Sequence, residues 1–187
     1  TTSVGTYSFS TLVINKNAGA VAVTSTSGLT VSNSLTLTQG TWNCGAGLTH
    51  QVAGAWDSSS ANFTLNAGTS TIQLTGATPN ITTKGSDSFY NLTVASGATL
   101  QSNITVGNTL ALAAGALSTN GKNLSVTGAV SATTGTLVAS ASEAIQVGGN
   151  FAPTSFTAAS STVTFNQGTT TSVGTYSFST LVINKNA

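Results

Sequence analysis

Charge is what this sequence lacks most. Only 4% of its 187 residues are charged, against roughly 25% in an average globular protein. The cations are Lys16, Lys84, Lys122 and Lys185, and the anions are Asp57, Asp87 and Glu143; there is no Arg and no Met. So few cations exclude nucleic acid as a partner, because phosphates must be neutralised by Lys or Arg. Strong helix formers are scarce beside Thr, Val and Gly, which argues against helix. Disorder does not fit either, since 39% of residues are hydrophobic and net charge is only +1, whereas disordered chains combine low hydrophobicity with high charge. No apolar run reaches about 18 residues, so no membrane span is expected. One cysteine, Cys44, cannot build an internal disulfide framework. It reads as a small buried residue, or alternatively as a link between neighbouring strands of a fibre in an oxidising compartment. Only Pro79 and Pro153 could interrupt a β ladder.

What is present is repetition. "TTSVGTYSFSTLVINKNA" occupies Thr1 to Ala18 and returns unchanged as Thr170 to Ala187, so position 170 restates position 1. A degenerate repeat lies inside this period. Leu29, Val31, Leu35, Leu37 and Trp42 match Ile104, Val106, Leu110, Leu112 and Leu117 at a constant offset. Upstream, Phe9, Leu12 and Ile14 match Phe89, Leu92 and Val94, and they recur in the terminal copy as Phe178, Leu181 and Ile183. The expected organisation is one unit over 1–169, with sub-repeats of roughly 1–76 and 77–169, followed by the start of an identical unit over 170–187.

The two halves differ in length. Ile72 follows Phe63 closely, whereas Val163 lies much further beyond Leu137, the residue matching Phe63. The surplus spans roughly "SEAIQVGGNFAPTSFTA". Deleting that much from a closed sandwich would remove paired strands, whereas a stack can lose one coil and keep its register. Coils of about 17–20 residues are a solenoid size. Short alternating segments such as "LTLT", "FTL", "IQL", "LAL" and "VTF" support this, and Gly and Asn mark the corners between them. The expected fold is therefore all-β, a parallel β-helix. Its rival is a tandem pair of antiparallel β-sandwich domains, for which a Cys–Trp–Cys pattern is missing.

The charge deficit has a cause in such a fold. Equivalent positions on successive coils lie about 4.8 Å apart, so a charge repeated along the stack would face its own copy. Thr, Ser and Asn can instead hydrogen-bond along the axis. About nine coils per unit would rise roughly 40 Å. The segments "FYNLTVASGATLQSNITVGNTLALAAGAL" and "FSTLVINKNA…GLTVSNSLTLTQGTW" resemble the tandem repeats of very large bacterial surface proteins, the haemagglutinin-like or autotransporter-like adhesins. That resemblance covers nearly all the chain and implies an exported, fibrous, self-associating protein at the cell surface.

Catalysis needs converging titratable groups, and few are available. His50 is the only histidine and aligns with Leu124. It reads as buried or half-buried, with one nitrogen satisfied, because only Asp57 is near enough in sequence to assist it. Trp42 and Trp56 align with Leu117 and Val130 and read as core or corner packing, the alternative being a sugar-stacking platform. Three acids and no Arg cannot supply the charged cluster of a pectate-lyase-like β-helix enzyme. "VGGNFAP" lacks the Asp of a calcium-binding nonapeptide, and no phosphate-binding loop is present. No enzymatic activity, cofactor or metal site is expected. Asn62, Asn80, Asn91, Asn103 and Asn123 head N-x-S/T sequons and are candidate glycosylation sites, but the abundance of Ser and Thr produces that number unaided. The residues expected to matter are those of core and ladder: Phe9, Leu12, Ile14, Leu35, Leu37, Phe89, Leu92, Val94, Leu110, Leu112, Phe178, Leu181 and Ile183. The expected partners are copies of the chain itself, joined covalently or stacked, with a cell surface or glycans in second place. The alternative function is an ice- or carbohydrate-binding solenoid, which the absence of a Thr-x-Thr at every coil disfavours. No cap is visible at either end, so "NKNA" is expected to continue into a further "GAVAV".

Overall fold

The computed structural model describes residues 2–17, 21–167 and 171–185. Strands alternate inward and outward side chains. In Leu110–Leu112 both leucines are buried and Ala111 faces out; Ile104–Val106 and Leu124–Val126 follow the same pattern. A strand with one apolar face cannot bury it alone. Here the chain winds into a parallel β-solenoid of about nine turns, with three parallel sheets running along it and no helix among the described residues. The antiparallel sandwich is thereby excluded.

Each coil visits three sides in a fixed order. The first side holds Thr2–Val4, Ala22–Ser25, the end of Leu35–Asn43 and Phe63–Asn66, and later Ser88–Phe89, Ile104–Val106, Leu124–Val126, Ala144–Val147, Thr162–Phe165 and Thr180–Ile183. The second runs from Ser8–Phe9 through Thr30–Val31, Thr49–Val52, Thr71–Leu74, Asn91–Val94, Leu110–Leu112 and Val130–Ala132 to Phe151–Ala152. The third runs from Leu12–Asn15 through the start of Leu35–Asn43 to Phe156–Thr157. Leu35–Asn43 turns the corner between two sides. It pairs with Leu12–Ile14 before Gly40 and with Phe63–Asn66 from Gly40 onward. Gly40 has a φ of 102°, a conformation that side chains resist.

Coil length varies more than the sequence repeat implies. The chain returns from Phe89 to Val106 and from Val94 to Leu112 by short steps, and from Phe9 to Val31 by a longer one. Corners absorb most of the difference, and the ladder of Leu12–Asn15 takes up a further residue by a register shift between Ile14 and Asn15. The longest step, from Trp56 to Ile81, coincides with a break on the first side. Phe63–Asn66 and Ser88–Phe89 are successive first-side strands, yet no ladder joins them among the described residues.

The interior is a column of like on like. Leu92, Leu110, Val130 and Phe151 stack in register on the second side. Full burial of each such side chain stabilises by about 1.5–3 kcal/mol. Trp42 and Trp56 lie inside, fully buried, with ring centroids 6.0 Å apart. Their indole N–H groups donate to Ser25 at 2.9 Å and to Ser58 at 3.1 Å, which permits burial of a polar atom. Outside, amides run along the axis in place of charges. Gln51 donates to Gln73, Asn66 to Asn43, Asn43 to Thr24 and Gln101 to Asn80.

The surplus segment of the second half contains three strands: Ala144–Val147, Phe151–Ala152 and Phe156–Thr157. They occupy the first, second and third sides in turn, so the surplus is one whole coil.

Candidate functional site

Titratable groups are scattered among the described residues, and no group of three or more His, Cys, Asp or Glu side chains could hold a metal ion there. His50 lies on the second side with both ring nitrogens engaged. Nδ1 accepts from the Leu29 N–H at 3.2 Å, and Nε2 donates to the Cys44 carbonyl at 2.8 Å. Burial pushes its pKa down, with the Cys44 carbonyl a smaller opposing influence. Cys44 is fully buried and unpaired. Burial pushes its thiol up to about 12, so it is a packing residue rather than a link between fibres. Trp42 and Trp56, being internal, form no sugar-stacking platform.

Two acids are buried that composition alone does not single out. Glu143 is pushed up by burial, but the Thr119 hydroxyl and the Ser140 and Ala141 amides more than compensate and hold its carboxyl below the usual range. It ties one corner to the next coil. Asp87 pairs with Lys84 at 3.4 Å, and Lys84 also donates to the Phe63 carbonyl. This pair stands at the break in the first side and substitutes for part of the missing ladder. Its signal in the sequence is two opposite charges, Lys84 and Asp87, set close together in a chain almost without charge.

Of the expected ladder residues, Ile14, Leu35, Leu37, Phe89, Leu92, Val94, Leu110 and Leu112 are buried, and Phe9, Leu12 and Phe178 are half-buried. Leu181 and Ile183 are 44% and 69% exposed, because they belong to the last described coil. Asn62, Asn80, Asn103 and Asn123 are exposed and Asn91 is half-buried. The Asn91 amide is engaged with Asn108 and Thr71, while Asn103 and Asn123 accept backbone N–H groups of the following coil.

Among the described residues, the large apolar side chains left exposed lie on the first and last described coils. A cavity of about 270 Å³ opens at the first coil, lined by Phe9, Leu12, Ile14, Val23 and Leu29 among others. Tyr7 is 60% exposed there. In the terminal copy the equivalent Tyr176 lies against the preceding coil. Its hydroxyl donates to the Pro153 carbonyl at 2.5 Å, its ring lies 5.3 Å from Phe151, and Phe178 lies 5.7 Å from Phe156. Conversely, Ile14 is buried under the following coil and Ile183 is open. Each copy of the same peptide is thus covered on the side that the other leaves bare. One internal contact is kept in both: Lys16 donates to Thr2, and Lys185 donates to Thr171.

Comparison with family models, curated proteins and solved structures returns no match to this chain. The fold and its repetition define the class, a tandem-repeat parallel β-solenoid.

Proposed function

We propose that this chain is a structural, non-enzymatic segment of an extracellular β-solenoid, a filament or adhesin stalk that joins copies of itself end to end. The observation that carries this reading is the terminal copy. Thr171–Lys185 does not fold back as a cap. It adds to the stack as a further coil, with Val173 bridging Phe151 and Thr180–Ile183 pairing with Thr162–Phe165. It also repeats the Lys–Thr contact of the first coil. An open strand edge templates further pairing. The two copies of the repeated peptide expose apolar side chains on opposite faces, Tyr7 and Val13 on the first described coil and Leu181 and Ile183 on the last.

The continuous-chain form of the proposal is preferred to stacked subunits, because the copy reproduces a coil without a break. Denaturing electrophoresis of the protein from its source decides between them. A very large band supports consecutive units in one chain, and a band no larger than this chain alone removes that form. Electron microscopy that finds only short particles, with no axial growth under native conditions, removes end-to-end assembly altogether. The ice-binding reading draws little support. Outward positions along the second side include Gln51, Gln73, Ala111 and Ser131 rather than an unbroken row of Thr.

A further inference from the structure

The motif that begins each repeat does not return to the same side of the solenoid. Ser8–Phe9 is on the second side and Leu12–Asn15 on the third. In its internal counterpart, Ser88–Phe89 is on the first side and Asn91–Val94 on the second. In the terminal copy, Phe178 packs on Phe156 of the third side, and Thr180–Ile183 is on the first. Three occurrences of one motif therefore occupy three different pairs of sides. The internal alignment is displaced in the same way throughout. Leu29 and Val31 belong to the second side, whereas their matches Ile104 and Val106 are on the first; Leu35 and Leu37 are on the third side, and Leu110 and Leu112 on the second.

Strand counting explains the displacement. From Ser8–Phe9 to Ser88–Phe89 the chain advances eleven strand positions, counting Leu35–Asn43 as two because it spans a corner. Eleven is one short of four coils of three. The second half is longer by one whole coil, which leaves its remainder unchanged. Two shortfalls of one strand leave the whole unit a third of a coil past eight. Such an offset costs little, because all three sides use the same alternation of apolar inward and Thr, Ser or amide outward.

We infer that each unit of the length 1–169 advances the solenoid by eight and one-third coils, so that consecutive units are turned by a third of a revolution. Any surface feature of the unit is then displayed on all three sides in turn. It recurs on one side only after three units, or about 120 Å. A partner that reads one side, including a second solenoid lying alongside, meets equivalent surfaces from three directions. The extension to successive units rests on the continuous-chain reading above. The rotation itself is testable in the present chain.

Thr164 and Val182 are register partners on neighbouring first-side strands. Their spacing of about 4.8 Å suits a disulfide, which needs a Cα separation of about 4.4–6.8 Å. An unrotated copy would instead bring Val182 beside Thr157 on the third side. The expected result is that T164C/V182C cross-links under mild oxidation and T157C/V182C does not, with the buried Cys44 silent in both. Linkage of T157C/V182C, or of neither pair in a protein that keeps its β-sheet spectrum, overturns the rotation. Electrophoresis reports on chain continuity independently, so the two ideas can fail separately. In a filament of consecutive units, reconstruction is expected to show about a third of a turn per unit rise of about 40 Å; units related by translation alone overturn the inference.

Discussion

His50 is held in one tautomer, with hydrogen on Nε2, because Nδ1 must accept from the Leu29 N–H. A second proton would set two donors against each other inside the stack. Burial lowers the folded-state pKa below the ordinary imidazole value of 6.5, so the unfolded chain takes up the proton first. Stability is therefore full above about pH 6.5 and is lost progressively as pH falls below it. Urea midpoints measured from neutral to mildly acidic pH are expected to fall for the native sequence. The decline is expected to flatten in His50→Gln, which can keep an acceptor and a donor without titrating; an unchanged slope would show that the acid sensitivity arises elsewhere. Glu143 adds a second loss at lower pH. Its folded carboxyl lies below 4.5, so its contribution is present above that value and disappears as pH falls through the lower folded pKa. Neither role is legible in the sequence. Alternation alone places His50 inside, but the partner of each nitrogen depends on which coils lie above and below.

Elements follow a simpler logic. Alternation within "LAL" or "ITV" determines which residues point inward, and the surplus segment marks one coil, so the strands can be read directly, while the longer coils of the first half cannot, because the added residues sit in corners that carry no periodic signal. The side occupied by each strand cannot, because all three sides share one pattern and nothing local distinguishes Val31 from Val106. Corners set how closely coils approach. A Cβ added at Gly76 would stand 1.7 Å from the Ala53 carbonyl oxygen, a backbone atom that cannot move aside cheaply. Gly76→Ala is expected to cost about 1–3 kcal/mol by overpacking. Gly107→Ala, whose nearest neighbours lie at 3.6 Å, is expected to change stability by less than about 0.5 kcal/mol. Denaturant melts of the two variants test the contrast. The break beside Phe63–Asn66 is a join of another kind, bridged by side chains where the first-side ladder is missing among the described residues. Lys84→Met strands the buried Asp87 carboxylate and is expected to cost about 3–5 kcal/mol, much of which Lys84→Met with Asp87→Asn restores. Equal losses in the single and double variants would show that the ion pair does not bridge the break.

On the scale of the whole molecule, near-neutrality and repetition are one property. Each coil presents to the next a surface like its own, and a stack of like surfaces tolerates few charges. The sequence therefore identifies the architecture through what it omits, while the chemistry of any partner leaves little mark on it. The third-turn offset belongs to this scale as well, because it appears only when strands are counted around the axis over a full unit.

The hydrogen bonds between coils run parallel to the long axis, which makes the solenoid a mechanical element. A pull on its two ends loads those bonds in tension and peels coils one after another. Each released coil of about 20 residues adds roughly 70 Å of extended chain. Stretching by optical tweezers is expected to give a staircase with steps of that size. The first yield is expected at the break held by Lys84 and Asp87, and earlier still in Lys84→Met. A single cooperative rupture would show that the coils share load laterally. A solenoid loaded this way would dissipate tension over many small steps and re-form by rewinding when the load is released.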